Sequence, residues 1–148
     1  LSLPGQQDEL IRRVLEVNSN TVIVNNSGAP ISMPWFDQAP AVIQSWFPGQ
    51  EFGNALTDIL LGAANPSGKL PITFPERLED TPAFTNYPGE FGRVHYGEGL
   101  FVGYRWYESR DIKPLVPFGH GLSYTTFKYS ELSVSNTKVG LQLLNTGG

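Results

Sequence analysis

The carboxylate in the setting most typical of chemistry is Glu98, which lies in a segment rich in glycine and aromatic residues. Tyr96 and Gly97 precede it and Gly99 follows it. Sugars are recognised by carboxylates combined with aromatic faces, so this setting is typical of the rim of a carbohydrate site. The same carboxylate could instead pair with a buried arginine such as Arg105. We favour that ion pair, and Glu98 remains an outside candidate for a catalytic acid or base.

Other residues of types that perform catalysis or bind metals have a structural explanation in this sequence. Glu51 begins an amphipathic segment, where the free amides of a helix stabilise a negative charge. Ser123 lies in a Gly-Leu-Ser-Tyr-Thr sequence that lacks the second glycine of a nucleophile elbow. His95 and His120 are the only histidines, and the sequence contains no cysteine. We therefore predict no metal site and a structural hydrogen bond for each histidine.

Two glycine-rich stretches come close to nucleotide-binding motifs without matching them. Gly62 and Gly68, the latter followed by Lys69, depart from the phosphate-binding loop by one residue in spacing and lead into a strand. Residues 97–103 depart from the dinucleotide-binding fingerprint in the same way and follow no predicted strand. The sequence therefore predicts no cofactor.

The charge and the apolar pattern limit the partners. The 148 residues include 14 acidic and 10 basic side chains, which gives a net charge of −4, and lysine and arginine form no cluster. Nucleic acid is therefore not expected as a partner. The apolar run at residues 55–64 contains Asp58 and is too short to span a bilayer, so no membrane partner is expected. The localisation stays unknown, because a cysteine-free sequence without a visible signal peptide is compatible with a secreted or an intracellular protein.

The elements that must position these residues follow from apolar periodicity. Apolar side chains recur at helical spacing in residues 6–17 and 51–61. Residues 21–24 and 41–46 are apolar almost throughout, as strands covered on both faces are, and we expect them to be buried neighbours in one parallel sheet. Residues 70–74 are predicted to form a short edge strand, because prolines interrupt them. This alternation predicts an α/β fold, a layered α/β sandwich with a mostly parallel sheet.

The pattern changes after residue 75. Residues 76–126 are rich in glycine, proline and aromatic side chains without a clear period, which is typical of a functional segment or of one that wraps another domain. A brief helix in this segment would place Phe101, Tyr104 and Tyr107 close to one face.

The last residues return to an alternating pattern. Residues 127–134 and 139–144 alternate as antiparallel strands do, which favours the start of a β-sandwich. Leu1 is not a methionine, and residues 141–147 form a strand that enters a turn, so we expect an internal fragment of a longer protein. The predicted domain organisation is 1–75, 76–126 and 127–148.

Five motifs follow one another along the chain. They are residues 3–11 (LPGQQDELI), 48–55 (PGQEFGNA), 65–71 (NPSGKLP), 96–107 (YGEGLFVGYRWY) and 117–127 (PFGHGLSYTTF). In this order they resemble the carboxy-terminal half of family 3 glycoside hydrolases. Residues 80–84 and 91–94 are most similar to the fungal and yeast β-glucosidase branch of that family.

The resemblance implies part of a retaining β-glucosidase that hydrolyses terminal non-reducing β-D-glucosyl residues. In the family an amino-terminal barrel domain supplies an aspartate nucleophile, and a glutamate acid/base lies on a loop that the resemblance places upstream of Leu1. Neither catalytic carboxylate then falls on a numbered position, so the isolated chain is expected to be inactive. The implied partners are a β-glucoside or oligosaccharide substrate and the barrel domain of the same protein, and the sequence is compatible with a homo-oligomer.

The resemblance also assigns a role to each part of the chain. Residues 1–75 would be the later part of the family α/β sandwich domain, residues 76–126 a wrapping linker, and residues 127–148 the truncated start of a fibronectin type III-like domain. The chain would hold the glutamate loop against the barrel, and residues 98–107 would support that domain interface rather than transfer protons.

Two alternatives stay open from the sequence. A β-xylosidase or exo-glucanase of the same family would share these motifs, because the barrel makes the choice of substrate. A non-catalytic carbohydrate-binding or adhesion module is favoured by aromatic residues that look exposed, namely Trp35, Trp46, Trp106 and the tyrosines, although aromatic residues at turns more often fix loops.

Overall fold

The computed structural model describes residues 1–147. Its helices and strands follow in this order: α1 (Gln7–Val17), β1 (Val22–Asn25), β2 (Ala41–Gln44), α2 (Phe52–Leu60), α3 (Tyr104–Ser109), β3 (Phe127–Val134) and β4 (Val139–Asn145). Short 3-10 helices lie at Phe36–Gln38 and Leu78–Asp80. The two helices predicted from apolar spacing are confirmed as α1 and α2. Within this described part, no helix combines the length and the apolar character that crossing a membrane requires.

Ion pairs within helix α1 stabilise it, and one hydrogen bond connects it to the core. Asp8 and Glu9 lie in its first turn, where the free amides favour a negative charge. Glu9 pairs with Arg12 at 2.8 Å and with Arg13 at 2.6 Å, and these hydrogen bonds lower the pKa of Glu9 to about 2. Exposed ion pairs of this kind stabilise a helix only slightly. The indole N–H of Trp35 donates to the Asp8 carboxylate at 2.8 Å, which joins α1 to the buried side of the chain.

Strands β1 and β2 pair in parallel, with Val22 opposite Ala41 and Asn25 opposite Gln44. The predicted parallel pairing is therefore confirmed. The predicted burial is wrong for most of both strands, because Asn25 alone is buried and Val22 is 47% exposed. The reason is that the sheet has two strands within residues 1–147, so each strand is also an edge.

The core is built mainly by residues outside the strands. Its buried side chains are Ile31, Met33, Trp35, Phe74 and Val116, and partly buried residues of α1, β1 and β2 pack against them. The apolar side chains of α1, β1 and β2 thus pack against buried residues that belong to segments without regular secondary structure. This explains why apolar periodicity located the elements and did not locate the core.

Residues 70–74 form no strand, so that prediction is wrong. Phe74 and Val116 exchange backbone hydrogen bonds at 2.9 and 3.2 Å, as an isolated antiparallel bridge. Leu70 makes a second pair of backbone bonds, donating to His120 and accepting from Gly119, each at 2.8 Å. Proline cannot donate to a ladder, and Pro71 lies between these two points. The pairing is therefore broken into single contacts.

Strands β3 and β4 form the predicted antiparallel pair, with Phe127 opposite Asn145 and Val134 opposite Val139. The register shifts between Ser130 and Ser133, where Glu131 has a positive φ of 54°. Two residues of β3 there oppose one residue of β4, which is a β-bulge.

The bulge follows from the spacing of the apolar residues. Phe127 and Tyr129 alternate, the next apolar residue, Leu132, comes three positions later, and Val134 follows. Side chains of a regular strand change face at every residue, so in a regular strand this spacing would place Leu132 on the other face from Tyr129. The extra residue in the bulge returns Leu132 and Val134 to the face that carries Phe127 and Tyr129. One face of the hairpin consequently carries an apolar set, each 45–71% exposed: Phe127, Tyr129, Leu132, Val134, Val139, Leu141 and Leu143.

Two compact units can be distinguished in the described residues. One comprises Leu1–Gln50 and Leu70–His120, and it contains the parallel sheet and the core. The other comprises Glu51–Lys69 and the residues from Gly121 onward, and it contains α2 and the hairpin. The structure is thus a small α/β unit with a parallel strand pair, and a second unit with an antiparallel pair. The boundaries at 75 and 126 remain a prediction.

Candidate functional site

Glu98 lies half-buried in the turn that precedes α3, and its backbone carbonyl accepts from Phe101 at 3.0 Å. Its carboxylate accepts a hydrogen bond from the side-chain amide of Asn86 at 3.2 Å. The predicted ion pair with Arg105 is wrong, since the ion pairs in residues 1–147 do not include Glu98. Arg105 is exposed on α3, with its guanidinium 6.0 Å from the ring centre of Tyr104. The role of Glu98 as an acid or base stays a prediction.

Asn86 is the partner that the sequence did not indicate. A backbone turn holds it, because the amides of Asn86 and Tyr87 both donate to the carbonyl of Ala83, at 3.0 and 2.9 Å. A side chain at Gly97 would lie 3.0 Å from the Asn86 amide oxygen, so the glycine allows this close approach. No pattern in the sequence marks such a contact, because it joins two irregular segments.

Helix α3 buries Trp106 and Tyr107 and leaves Tyr104 42% exposed, and Phe101, which precedes the helix, is 53% exposed. The predicted shared face is wrong for Phe101, whereas Tyr104 and Tyr107 line the same groove. The physical reason is that Gly103, with φ of 60°, begins the helix after Phe101, so Phe101 lies outside the helical spacing. Burial, with a smaller contribution from the negative charge of Asp80, raises the pKa of Tyr107.

Trp106 ties α3 to the 3-10 helix at Leu78–Asp80. Its indole N–H donates to the backbone carbonyl of Asp80 at 3.0 Å, and the guanidinium of Arg110 lies 3.8 Å from the Trp106 ring centre. Arg77 in turn forms an ion pair with the Asp80 carboxylate at 3.0 Å. The aromatic residues of this segment thus fix the backbone.

A groove of about 510 Å³ lies beside α3. The rings of Tyr104 and Phe118 stack in its wall with their centres 5.0 Å apart. The buried hydroxyl of Thr73, another lining residue, has no hydrogen-bond partner among residues 1–147. Charged side chains line the groove as well, namely Glu108, Asp111 and Lys113.

The tryptophans do not form an exposed platform. Trp35 and Trp106 are buried, with 2% and 8% of their surfaces exposed. Trp46 is half-buried and its ring packs 5.9 Å from the ring of Phe74. The expectation of exposed aromatic residues is therefore wrong for the tryptophans, whereas five tyrosines are exposed: Tyr87, Tyr96, Tyr104, Tyr124 and Tyr129.

Two of the sequence motifs contact each other. The Asn65 side-chain oxygen accepts from the hydroxyl of Ser123 at 3.0 Å and from the amide of Tyr124 at 2.8 Å. The phenol of Tyr124 donates to the carbonyl of Ile59 at 2.7 Å, and the Lys69 ammonium donates to the carbonyl of Gly121. We call this set the Asn65 clasp. Ser123 therefore has the structural role that the sequence predicted for it.

The histidines lie in different surroundings. His95 lines a second groove, of about 620 Å³, formed by residues between Thr85 and His95. His120 lies beside the broken pairing of residues 70–74, and its backbone carbonyl accepts from Leu70. Within residues 1–147, histidine, aspartate and glutamate form no group of three that could hold a metal ion.

A tight turn at residues 90–93 projects one aromatic ring from the second groove. Glu90 and Arg93 exchange backbone hydrogen bonds at 3.0 and 2.9 Å. The two residues between them have positive φ, 50° at Phe91 and 72° at Gly92, as in the two-residue turns that favour Asn-Gly. The left-handed conformation costs a residue with a Cβ about 1–2 kcal/mol. Phe91 is nevertheless fully exposed, at 101%.

Comparison with protein families defines the class of protein. The model of the Glycosyl hydrolase family 3 C-terminal domain matches residues 1–124. The chain therefore belongs to this family, as the five motifs predicted.

Similar curated proteins include fungal ones. The Probable beta-glucosidase I of Aspergillus flavus is 55% identical over 137 residues, which cover 93% of this chain and 16% of the relative. The protein of the same description from Neosartorya fischeri is 53% identical over 143 residues, covering 97% of this chain and 17% of the relative. The chain thus spans only 16–17% of the length of these relatives.

Solved structures share the fold over nearly the whole chain. A beta-glucosidase from Kluyveromyces marxianus, in complex with glucose, aligns with a TM-score of 0.92 and 49% identity, covering 99% of this chain and 18% of its own. A beta-glucosidase from Streptomyces venezuelae, in complex with D-glucose, aligns with a TM-score of 0.95 and 43% identity, covering 99% of this chain and 20% of its own.

Proposed function

We propose that this chain is part of a retaining β-glucosidase that removes terminal non-reducing β-D-glucosyl residues. The observation that carries the proposal is the match of residues 1–124 to the C-terminal domain of glycosyl hydrolase family 3. The descriptions of its relatives from Aspergillus flavus and Kluyveromyces marxianus, both beta-glucosidases, support the choice of glucoside as substrate. The β-xylosidase and exo-glucanase alternatives have no comparable support.

In the proposed reaction, the chain itself supplies neither catalytic carboxylate. An aspartate of the barrel domain attacks the anomeric carbon, and a glutamate protonates the leaving oxygen before water releases the glucosyl-enzyme. Retaining enzymes need these two carboxylates about 5–5.5 Å apart. A displacement of about 1 Å can lower the rate on the order of a hundredfold. We assign to this chain the task of holding the glutamate loop at that distance from the barrel.

Contacts within each unit support this positioning role. In one unit, Trp106 and Asp80 fix α3 to the backbone before it. In the other, the Asn65 clasp fixes the residues after α2. Both sets consist of side chains that bond to backbone or to each other, which makes the irregular segments rigid without assigning proton transfer to them.

We further propose that the β3–β4 hairpin begins a fibronectin type III-like β-sandwich. A sandwich strand buries one face against a second sheet and exposes the other. Most of the hairpin has this division, because the apolar set lies on one face and Lys128, Ser130 and Gln142 lie on the other, where Leu144 is the one large apolar side chain. The organisation 1–75, 76–126 and 127–148 belongs to the same proposal.

The proposed function is tested with the intact protein and with the isolated chain, assayed in parallel. The intact protein should hydrolyse an aryl β-glucoside with a higher kcat/KM than an aryl β-xyloside and should release glucose with retained configuration. The isolated chain should show no hydrolysis above a denatured control. A preference for the xyloside would support the alternative enzyme. Hydrolysis by the isolated chain would overturn the assignment of both carboxylates to other parts of the protein.

A further inference from the structure

The turn at residues 90–93 combines two features that stability does not explain. Phe91 occupies a left-handed backbone position, which asparagine, aspartate and glycine adopt far more readily than an aromatic residue does. Its ring is also fully exposed within residues 1–147, so no contact there offsets the strain. Strain of this kind persists where the residue performs a task.

The turn is built to hold this ring in place. Its backbone closes with two hydrogen bonds between Glu90 and Arg93. A side chain at Gly89 would lie 2.1 Å from the carbonyl of Arg93, so the approach of the two arms requires glycine. Large exposed side chains flank the turn on both sides, with Tyr87 at 74% and Tyr96 at 85%. Clustered exposed aromatic residues are typical of interaction surfaces, where buried aromatic anchors supply most of the affinity.

We propose that the turn at residues 90–93 is a docking element, in which the phenyl ring of Phe91 inserts into an apolar pocket on another part of the same polypeptide. This inference rests on the proposed function in one respect, since it takes the length of the intact protein from its relatives. The chain spans 16% of the Aspergillus flavus relative and 18% of the Kluyveromyces marxianus chain, so the remainder offers the larger surface.

A permanent partner fits the turn better than a dissociable sugar does. The backbone strain at Phe91 is present at all times, and a contact within the same polypeptide offsets it at all times. A ligand would offset it only while bound. The second groove beside the turn does contain Glu90, Arg93 and His95, which are residue types that bind sugars, and the experiment therefore includes a sugar as a competing outcome.

The first test uses Phe91→Asn in the intact protein. Asparagine relieves the backbone strain and removes the ring, so the two interpretations predict opposite signs. If Phe91 is a docked anchor, the variant should lower Tm by about 2 °C or more. If the ring is free in solvent, Tm should stay the same or rise, which would overturn the proposal. Glu131→Asn is the matched control, because Glu131 is exposed with a φ of 54° and should lose no stability.

A second measurement follows accessibility directly and does not depend on a change in Tm. Phe91→Cys in the intact protein is treated with a thiol reagent, and labelling of the peptide that contains residue 91 is followed by mass spectrometry in native buffer and in urea. Docking predicts native labelling slower by on the order of tenfold or more, because the pocket must open first. Equal rates in both buffers would overturn the proposal.

The remaining outcomes separate the other occupants from the one proposed. An unchanged Tm with a raised KM for a β-linked glucose disaccharide would assign the ring to substrate binding. A loss of stability accompanied by dissociation, measured by light scattering, would assign it to a second copy of the protein. Either result would overturn docking within one polypeptide. Absence of β-glucosidase activity in the wild-type protein would overturn the proposed function alone, since the Tm and labelling results do not depend on activity.

Discussion

At the scale of single residues, Glu98 has sequence neighbours that are typical of a catalytic site, but its hydrogen-bond partner indicates a structural role. Its neighbours in the sequence are aromatic and glycine residues, yet its carboxylate accepts from the Asn86 amide at 3.2 Å. A neutral amide partner supplies an orienting hydrogen bond and no charge. We therefore expect Glu98 to fix the turn before α3 and to take no part in proton transfer.

This expectation is tested with Glu98→Gln in the intact protein. Glutamine keeps an oxygen that can accept from Asn86, so the free energy of unfolding should fall by about 1 kcal/mol or less. Turnover per folded molecule should fall by less than about tenfold, whereas loss of an acid or base group costs about a hundredfold or more. A folded variant that is nearly inactive, and that azide or an activated leaving group rescues, would identify Glu98 as the acid/base residue.

The sequence predicted the roles of single residues unevenly. The structural role of Ser123 followed from a missing glycine, which is a local property. The partner of Glu98 and the burial of Trp35 and Trp106 did not follow, because they depend on contacts between segments distant in the chain. Proline and glycine around a tryptophan indicate a turn, and they do not indicate which side of the turn faces the core.

At the scale of elements, local patterns predicted α1, α2 and the β3–β4 hairpin. The predictions that depended on contacts between distant segments were less accurate. Residues 70–74 have a strand-like composition, but their partner lies at residues 116–120 and Pro71 interrupts the bonds between them. The burial of β1 and β2 was overestimated because apolar composition indicates that a strand can be covered on both faces. It does not indicate whether the covering strands and helices lie within residues 1–147.

The Asn65 clasp provides the test at this scale. Asn65→Ala in the intact protein removes the acceptor for the Ser123 hydroxyl and the Tyr124 amide, so the free energy of unfolding should fall by about 1 kcal/mol. Asn54→Ala is the matched control, because Asn54 is also exposed and its side-chain amide donates to the Glu51 carboxylate of the adjacent turn, which connects no distant segment. It should change stability by less than about 0.5 kcal/mol. Equal effects in thermal unfolding would show that the clasp adds no stability.

At the scale of the whole molecule, the exposed apolar face of the β3–β4 hairpin is the feature that a second sheet would cover. Leu141 and Gln142 are neighbours on β4 that point to opposite faces. If the apolar face packs on a second sheet, Leu141→Asp in the intact protein should cost several kcal/mol, because it buries an unpaired charge. Gln142→Asp, the control on the polar face, should cost less than about 1 kcal/mol. Similar melting temperatures for the two variants would contradict the proposed sandwich.

The bulge at Glu131 also determines which changes of length the gene can tolerate. Deleting the single codon for Glu131 would remove the extra residue and leave a regular strand. Phe127, Tyr129, Leu132 and Val134 would then alternate strictly, so the apolar face would persist without the bulge. Inserting one further residue beside Glu131 would instead reverse the orientation of the residues that follow in β3, and Leu132 and Val134 would point to the side of Lys128 and Ser130. Deletion and insertion at this codon thus have opposite consequences for the apolar face.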